Sequence, residues 1–83
     1  MSQLSLETTS KETPEEIIAS AKAWFVDEFG LEPVDEAKCC IRLEGEEGFV
    51  YISAEKSGDK TTVNLQSQGY TPQLKRFMRQ VAS

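Results

Sequence analysis

Eighty-three residues, 39% of them apolar and 28% charged, suit one soluble globular domain near the lower end of sizes that fold unaided. A core that small leaves few apolar side chains to wall a deep catalytic cavity, and with no histidine the commonest acid–base catalyst near neutral pH is missing. The net charge of −5 opposes nonspecific binding to a polyanion, and no apolar run reaches the roughly 20 residues that a membrane helix needs.

Gln3 to Thr8 alternate Leu4, Leu6 and Thr8 with polar residues, which predicts a short half-buried strand. The stretch from Met1 to Glu7 lacks the basic start and apolar stretch of a secretory signal, so a cytoplasmic protein is the expectation. Thr13-Pro14-Glu15-Glu16 then predicts a helix start. Thr13 can cap with its hydroxyl, Pro14 fits the first turn where an N–H is not needed, and Glu16 completes a capping box. The helix should run to Phe29 and stop at Gly30, with Ile17, Ile18, Ala21, Trp24, Phe25 and Phe29 on its apolar stripe and Trp24 near the edge of it.

Leu31-Glu32-Pro33-Val34 reads as an extended link, because the residue before a proline avoids helix. A second strand is expected from Lys38 to Glu44, with Cys39, Ile41 and Leu43 inward and Cys40, Arg42 and Glu44 outward. Gly45-Glu46-Glu47-Gly48 should turn directly into a strand from Phe49 to Glu55, and Ser57-Gly58-Asp59-Lys60 into a last strand from Thr61 to Gln68. Thr71-Pro72 repeats the Thr13-Pro14 helix start, and Leu74, Phe77, Met78 and Val81 make the docking stripe of a second helix. The predicted architecture is one α+β domain over residues 1–83. Its four-stranded, mostly antiparallel sheet carries two helices on one face, in the order β-α-β-β-β-α.

That order resembles a shortened helix-grip fold, the lipid-transfer group in which a long last helix lies across a curved sheet. The likeness covers element order, and four strands are too few to enclose that group's large cavity. It implies a place for a small apolar ligand between the sheet and the last helix, where Phe77 and Met78 meet Val50, Ile52 and Val63.

The pleat assigns Leu4, Leu6, Cys39, Ile41, Leu43, Val50, Ile52, Ala54, Val63 and Leu65 to the covered face. The reverse face is polar except for Cys40, Phe49 and Tyr51. With Arg42, Asn64 and Gln66 these form a candidate contact surface for a protein partner or a second copy, as does the flank carrying Trp24. Glu47-Gly48-Phe49-Val50-Tyr51-Ile52 resembles half of the ribonucleoprotein motif of RNA-recognition domains, whose sheet aromatics stack on bases. Phe49 and Tyr51 would be the stacking pair, although Glu46 and Glu47 stand where that motif has a base.

Residues 1–36 hold nine acids against two bases, whereas residues 70–83 hold only Lys75, Arg76 and Arg79, a candidate basic patch. The acids lie at helix ends and turns, where water keeps carboxylates ordinary, and none has calcium-loop spacing. Cys39 and Cys40 supply neither a disulfide framework nor a C-x-x-C motif. As neighbours on a strand they would point to opposite faces, Cys39 as a small core residue and Cys40 as an outward thiol beside Arg42. The residues thus favour a noncatalytic interaction or assembly module without cofactor or metal. A small apolar ligand is the alternative, and RNA binding through Phe49 and Tyr51 stands behind both.

Overall fold

A computed structural model describes residues 3–83; Met1 and Ser2, the start of the segment read for a leader, lie outside the described residues. The chain forms β1 (Leu4–Ser10), α1 (Pro14–Phe29), β2 (Glu32–Glu36), β3 (Cys40–Gly45), β4 (Gly48–Ser57), β5 (Lys60–Gln68) and α2 (Thr71–Val81). The five strands make one antiparallel sheet in the order β1-β5-β4-β3-β2. Strands β2 to β5 are a simple meander, and β1 returns from across α1 to pair with β5 at the far edge. No helix among the described residues is long and apolar enough to cross a membrane.

The expectation of four strands is therefore corrected to five. The segment read as a link is strand β2, paired with β3 through Glu32↔Glu44, Pro33↔Leu43, Asp35↔Arg42 and Glu36↔Ile41, with a register shift between Pro33 and Asp35. Proline cannot donate to a ladder, but an edge strand needs its N–H groups on one side only, so Pro33 and the irregularity beside it are tolerated there. The strand preceding the first hairpin starts at Cys40, not Lys38.

Helix α1 begins as its sequence dictates. The Glu16 N–H donates to Thr13 Oγ1 at 3.2 Å, the Thr13 N–H donates to Glu16 Oε1 at 2.9 Å, and left-handed Gly30 closes the C-terminus. Helix α2 departs from expectation. Thr71 is its first residue, not its cap; Tyr70 occupies the cap position at φ 57° and makes no side-chain capping bond. The Tyr70 side chain is used elsewhere: the Glu47 N–H donates to its hydroxyl at 3.3 Å, joining the start of α2 to the β3–β4 turn. Gly45 leaves room for that ring, and a β-carbon there would collide with the Tyr70 hydroxyl.

The register lines up apolar rows across the sheet, Ile41–Ile52–Leu65–Leu6 and Ala54–Val63–Thr8 among them. Ile17, Ile18, Ala21 and Phe25 of α1 and Leu74, Phe77 and Val81 of α2 pack on the same face in one buried cluster. Trp24 knits the two helices together, edge-on to Phe25 and Phe29 with centroids 5.0 and 4.9 Å away and stacked on Phe77 at 6.0 Å. Leu4 and Leu6, on the edge strand, are only partly buried against this core.

Cys39 is a second correction. It is exposed, not inward, because it lies on the bend before β3 begins and strand alternation does not yet apply to it. From Cys40 onward the expected alternation holds, with Ile41, Leu43, Val50, Ile52, Val63 and Leu65 wholly buried.

Candidate functional site

The uncovered sheet face is a grid of outward side chains set by strand register. One row runs Arg42–Tyr51–Gln66–Ser5 across β3, β4, β5 and β1; beside it run Cys40–Ser53–Asn64–Glu7 and Glu44–Phe49–Gln68. Six of the seven residues assigned to the contact surface, Cys40, Arg42, Phe49, Tyr51, Asn64 and Gln66, therefore share one face. The seventh does not. Trp24 belongs to the helical layer, half-buried in the aromatic cluster on the other side of the sheet.

Phe49 and Tyr51, two residues apart on β4, form the apolar middle of the grid and are both half-buried. The Arg42 guanidinium lies 4.3 Å from the centre of the Phe49 ring, an arrangement in which the cation meets the electron-rich ring face. Arg42 also pairs with Glu44 through Nε and Oε2 at 3.2 Å, so the guanidinium is held by a carboxylate and a ring together. Tyr51 is engaged differently. Interaction with the neighbouring Cys40 thiol, followed by partial desolvation and the charge that Cys40 would carry, raises its phenol above the ordinary 10.0. At neutral pH Tyr51 is thus a neutral hydroxyl, lining the same shallow depression as Cys40. Glu7, Glu44 and Glu55, all exposed on this face, give it an acidic rim.

Cys40 has a second sulfur beside it. Its sulfur is 2.7 Å from that of Cys39, and this contact, then burial, then the neighbouring sulfur's charge raise the Cys39 thiol above its ordinary 9.0. The sequence showed the two residues side by side but placed their side chains on opposite faces; the bend at Lys38–Cys39 brings them together.

Lys75, Arg76 and Arg79 do form one patch, lining a shallow groove with Thr71 and Pro72 on the exposed side of α2. Among the described residues none of the three lies within ion-pair distance of an acid. One further groove escaped sequence reasoning. Between α1 and β2, Ala19, Ala23, Val26 and Pro33 make an apolar floor, and Lys22 bridges to Glu36 at 3.0 Å along its side. Its only signal was the small-residue spacing of Ala19 and Ala23, which reads as an ordinary solvent face until β2 is known to lie beside it. The side chains expected to hold an apolar ligand, Val50, Ile52, Val63 and Phe77, are buried against one another in the core cluster, with Met78 packed at its edge.

No protein-family model matches this chain, and no curated protein matches it in sequence.

Proposed function

We propose that the chain is a small noncatalytic interaction module that docks a partner protein on its open sheet face, with Phe49 and Tyr51 as the apolar centre. The observation that carries this reading is the placement of both rings, with Arg42 laid over Phe49, on the side of the sheet that neither helix covers. Aromatic and arginine side chains are the residue types that concentrate binding energy when a patch is desolvated. Cys40, Asn64 and Gln66 supply polar contacts around them, and the carboxylates of Glu7, Glu44 and Glu55 call for a partner with a basic rim. The same carboxylates would repel the phosphates of a nucleic acid, which is why a protein is the chosen partner for two half-buried sheet aromatics. The reading places the chain in the reducing interior of a cell, where Cys39 and Cys40 stay free thiols.

Chemical crosslinking from the full chain in its native lysate, followed by identification and reconstitution of the purified partner, tests the assignment. Truncating either ring, Phe49→Ala or Tyr51→Ala, should weaken the reconstituted complex at least about tenfold, the loss of roughly 1.4 kcal/mol or more expected of a central contact. Both variants should keep the wild-type melting behaviour within a few degrees, since neither ring belongs to the core. A partner that ignores these two changes and is lost with Lys75→Ala and Arg76→Ala would move the docking surface to α2 and end this reading.

A further inference from the structure

The structure assigns a second feature to the end of the sheet where β2 turns into β3, and it goes beyond the docking reading and does not depend on it. We propose that Cys39 and Cys40 form a redox modification site, a dithiol that hydrogen peroxide converts reversibly to an intrachain disulfide between adjacent residues.

Neighbouring cysteines within a regular strand cannot do this, because their side chains diverge. Here the strand starts at the second of the two, and Cys39 lies on the preceding bend with its sulfur in contact with that of Cys40 at 2.7 Å. The backbone carbonyls of both residues are hydrogen-bonded. The Ala54 N–H donates to the Cys39 oxygen at 2.7 Å, and the Ala37 N–H donates to the Cys40 oxygen at 2.8 Å, closing the β2–β3 connection. The backbone that carries the pair is therefore pinned in a geometry that lets the two side chains meet, and reaction between them has the advantage of any pre-positioned pair. Access is open: Cys39 is exposed, Cys40 is half-exposed, and the residues before them, Ala37 and Lys38, are exposed too.

The chemistry balances with peroxide as the only oxidant. One sulfur, as thiolate, attacks a peroxide oxygen; the O–O bond breaks, the S–O bond of a sulfenic acid forms, and the departing hydroxide takes up a proton to become water. The adjacent thiol then displaces the sulfenic hydroxyl. The S–S bond forms as the S–O bond breaks, and the thiol proton leaves with the hydroxyl as a second water. Two thiols and one peroxide yield one disulfide and two waters, with two electrons passing from the sulfurs to the peroxide oxygens.

Reversibility follows from the spacing. Adjacent α-carbons across a trans peptide are about 3.8 Å apart, short of the roughly 4.4–6.8 Å that relaxed disulfides span, so the closed ring is strained and easily reduced. Strained, exposed disulfides are the labile and regulatory ones. The groups facing the pair are the Tyr51 hydroxyl, the Arg42 guanidinium, and the carboxylates of Glu55, whose charge opposes thiolate formation at Cys39, and of Asp35, whose charge opposes phenolate formation at Tyr51. Cys39 therefore reacts slowly at neutral pH and faster as pH rises, since the thiolate is the nucleophile.

The test is intact-mass spectrometry of the reduced full chain after treatment with hydrogen peroxide, with a tryptic digest alongside. Trypsin cuts after Lys38 and Arg42, so both sulfurs fall in the single peptide Cys39–Arg42. The expected product is a monomer lighter by two hydrogens, with that loss confined to this peptide, no titratable thiol remaining, and full recovery with dithiothreitol. Cys39→Ser and Cys40→Ser change an exposed and a half-exposed position, and each should give instead oxygen-added thiol or disulfide-linked dimers. Wild-type protein that gains oxygen or dimerises as the single-cysteine variants do, with no loss of two hydrogens within one chain, would overturn the proposal.

Discussion

At the scale of single residues, the side chain that organises most of its surroundings on the open face is Cys40. Its sulfur touches Cys39 and lies near Tyr51, and through both influences how the face responds to alkali. The Cys39 thiol and the Tyr51 phenol are each raised above their ordinary values of 9.0 and 10.0. A group whose folded pKa lies above its unfolded one stabilises the fold fully below the unfolded value and loses that contribution as pH climbs through the folded value. The folded protein should therefore lose stability as pH rises past 9 and then 10, a decline that needs Cys40 as the common cause. Cys40→Ala removes the sulfur contact with Cys39 and the influence of the Cys40 thiol on both groups, so its urea midpoint under reducing conditions should fall less between about pH 8 and about pH 11 than that of the wild type. Parallel declines in the two proteins would show that Cys40 is not the cause.

At the scale of elements, the sequence was most legible where local chemistry and tertiary packing agreed. Helix α1 has its proline, its capping box and its terminal glycine in the expected places, and strands β3 to β5 alternate so plainly that the covered and open faces could be assigned residue by residue. Strand β2 was missed because only Pro33 among its five residues is even partly buried; an edge strand held by one ladder leaves no hydrophobic period to read. The same limit hid the meeting of Cys39 and Cys40, since alternation tells which way a side chain points only after the strand has begun. Six of the contact-surface residues follow directly from pleat parity, while the location of Trp24 depends on how α1 and α2 cross, which a stripe on one helix does not contain. Tyr70 shows a further long-range device: from the β5–α2 junction it receives the Glu47 N–H and packs over Gly45. Gly45→Ala should cost about 1–3 kcal/mol as the new methyl displaces that ring. Combined with Tyr70→Phe, which itself forfeits about 1 kcal/mol of hydrogen bonding, the loss should be smaller than the sum of the two single changes because the hydroxyl is the atom struck. Simple additivity in thermal unfolding, where each kcal/mol moves the midpoint about 4–8 °C, would mean that the collision is relieved elsewhere.

At the scale of the molecule, the two layers are joined through one continuous core: the sixteen buried apolar residues among those described form a single cluster drawn from both helices, from strands β3, β4 and β5, and from Leu31 and Tyr70 at the junctions, with none from edge strands β1 and β2. A domain of this length has about 4–12 kcal/mol in total to hold it together, so neither layer has a core of its own to survive the loss of the other. Trp24, the only tryptophan, reports on the helical layer through its contacts with Phe25, Phe29 and Phe77, while far-UV circular dichroism reports on backbone structure throughout, sheet included. Unfolding followed by Trp24 fluorescence and by circular dichroism should therefore give superimposable urea transitions with one midpoint and one slope. A fluorescence change completed before the circular dichroism signal falls would mean that the helices leave the sheet as a separate step. The open face could not then be treated as one side of a rigid platform, because its outward grid keeps its register only while the inward side chains of the same strands stay packed.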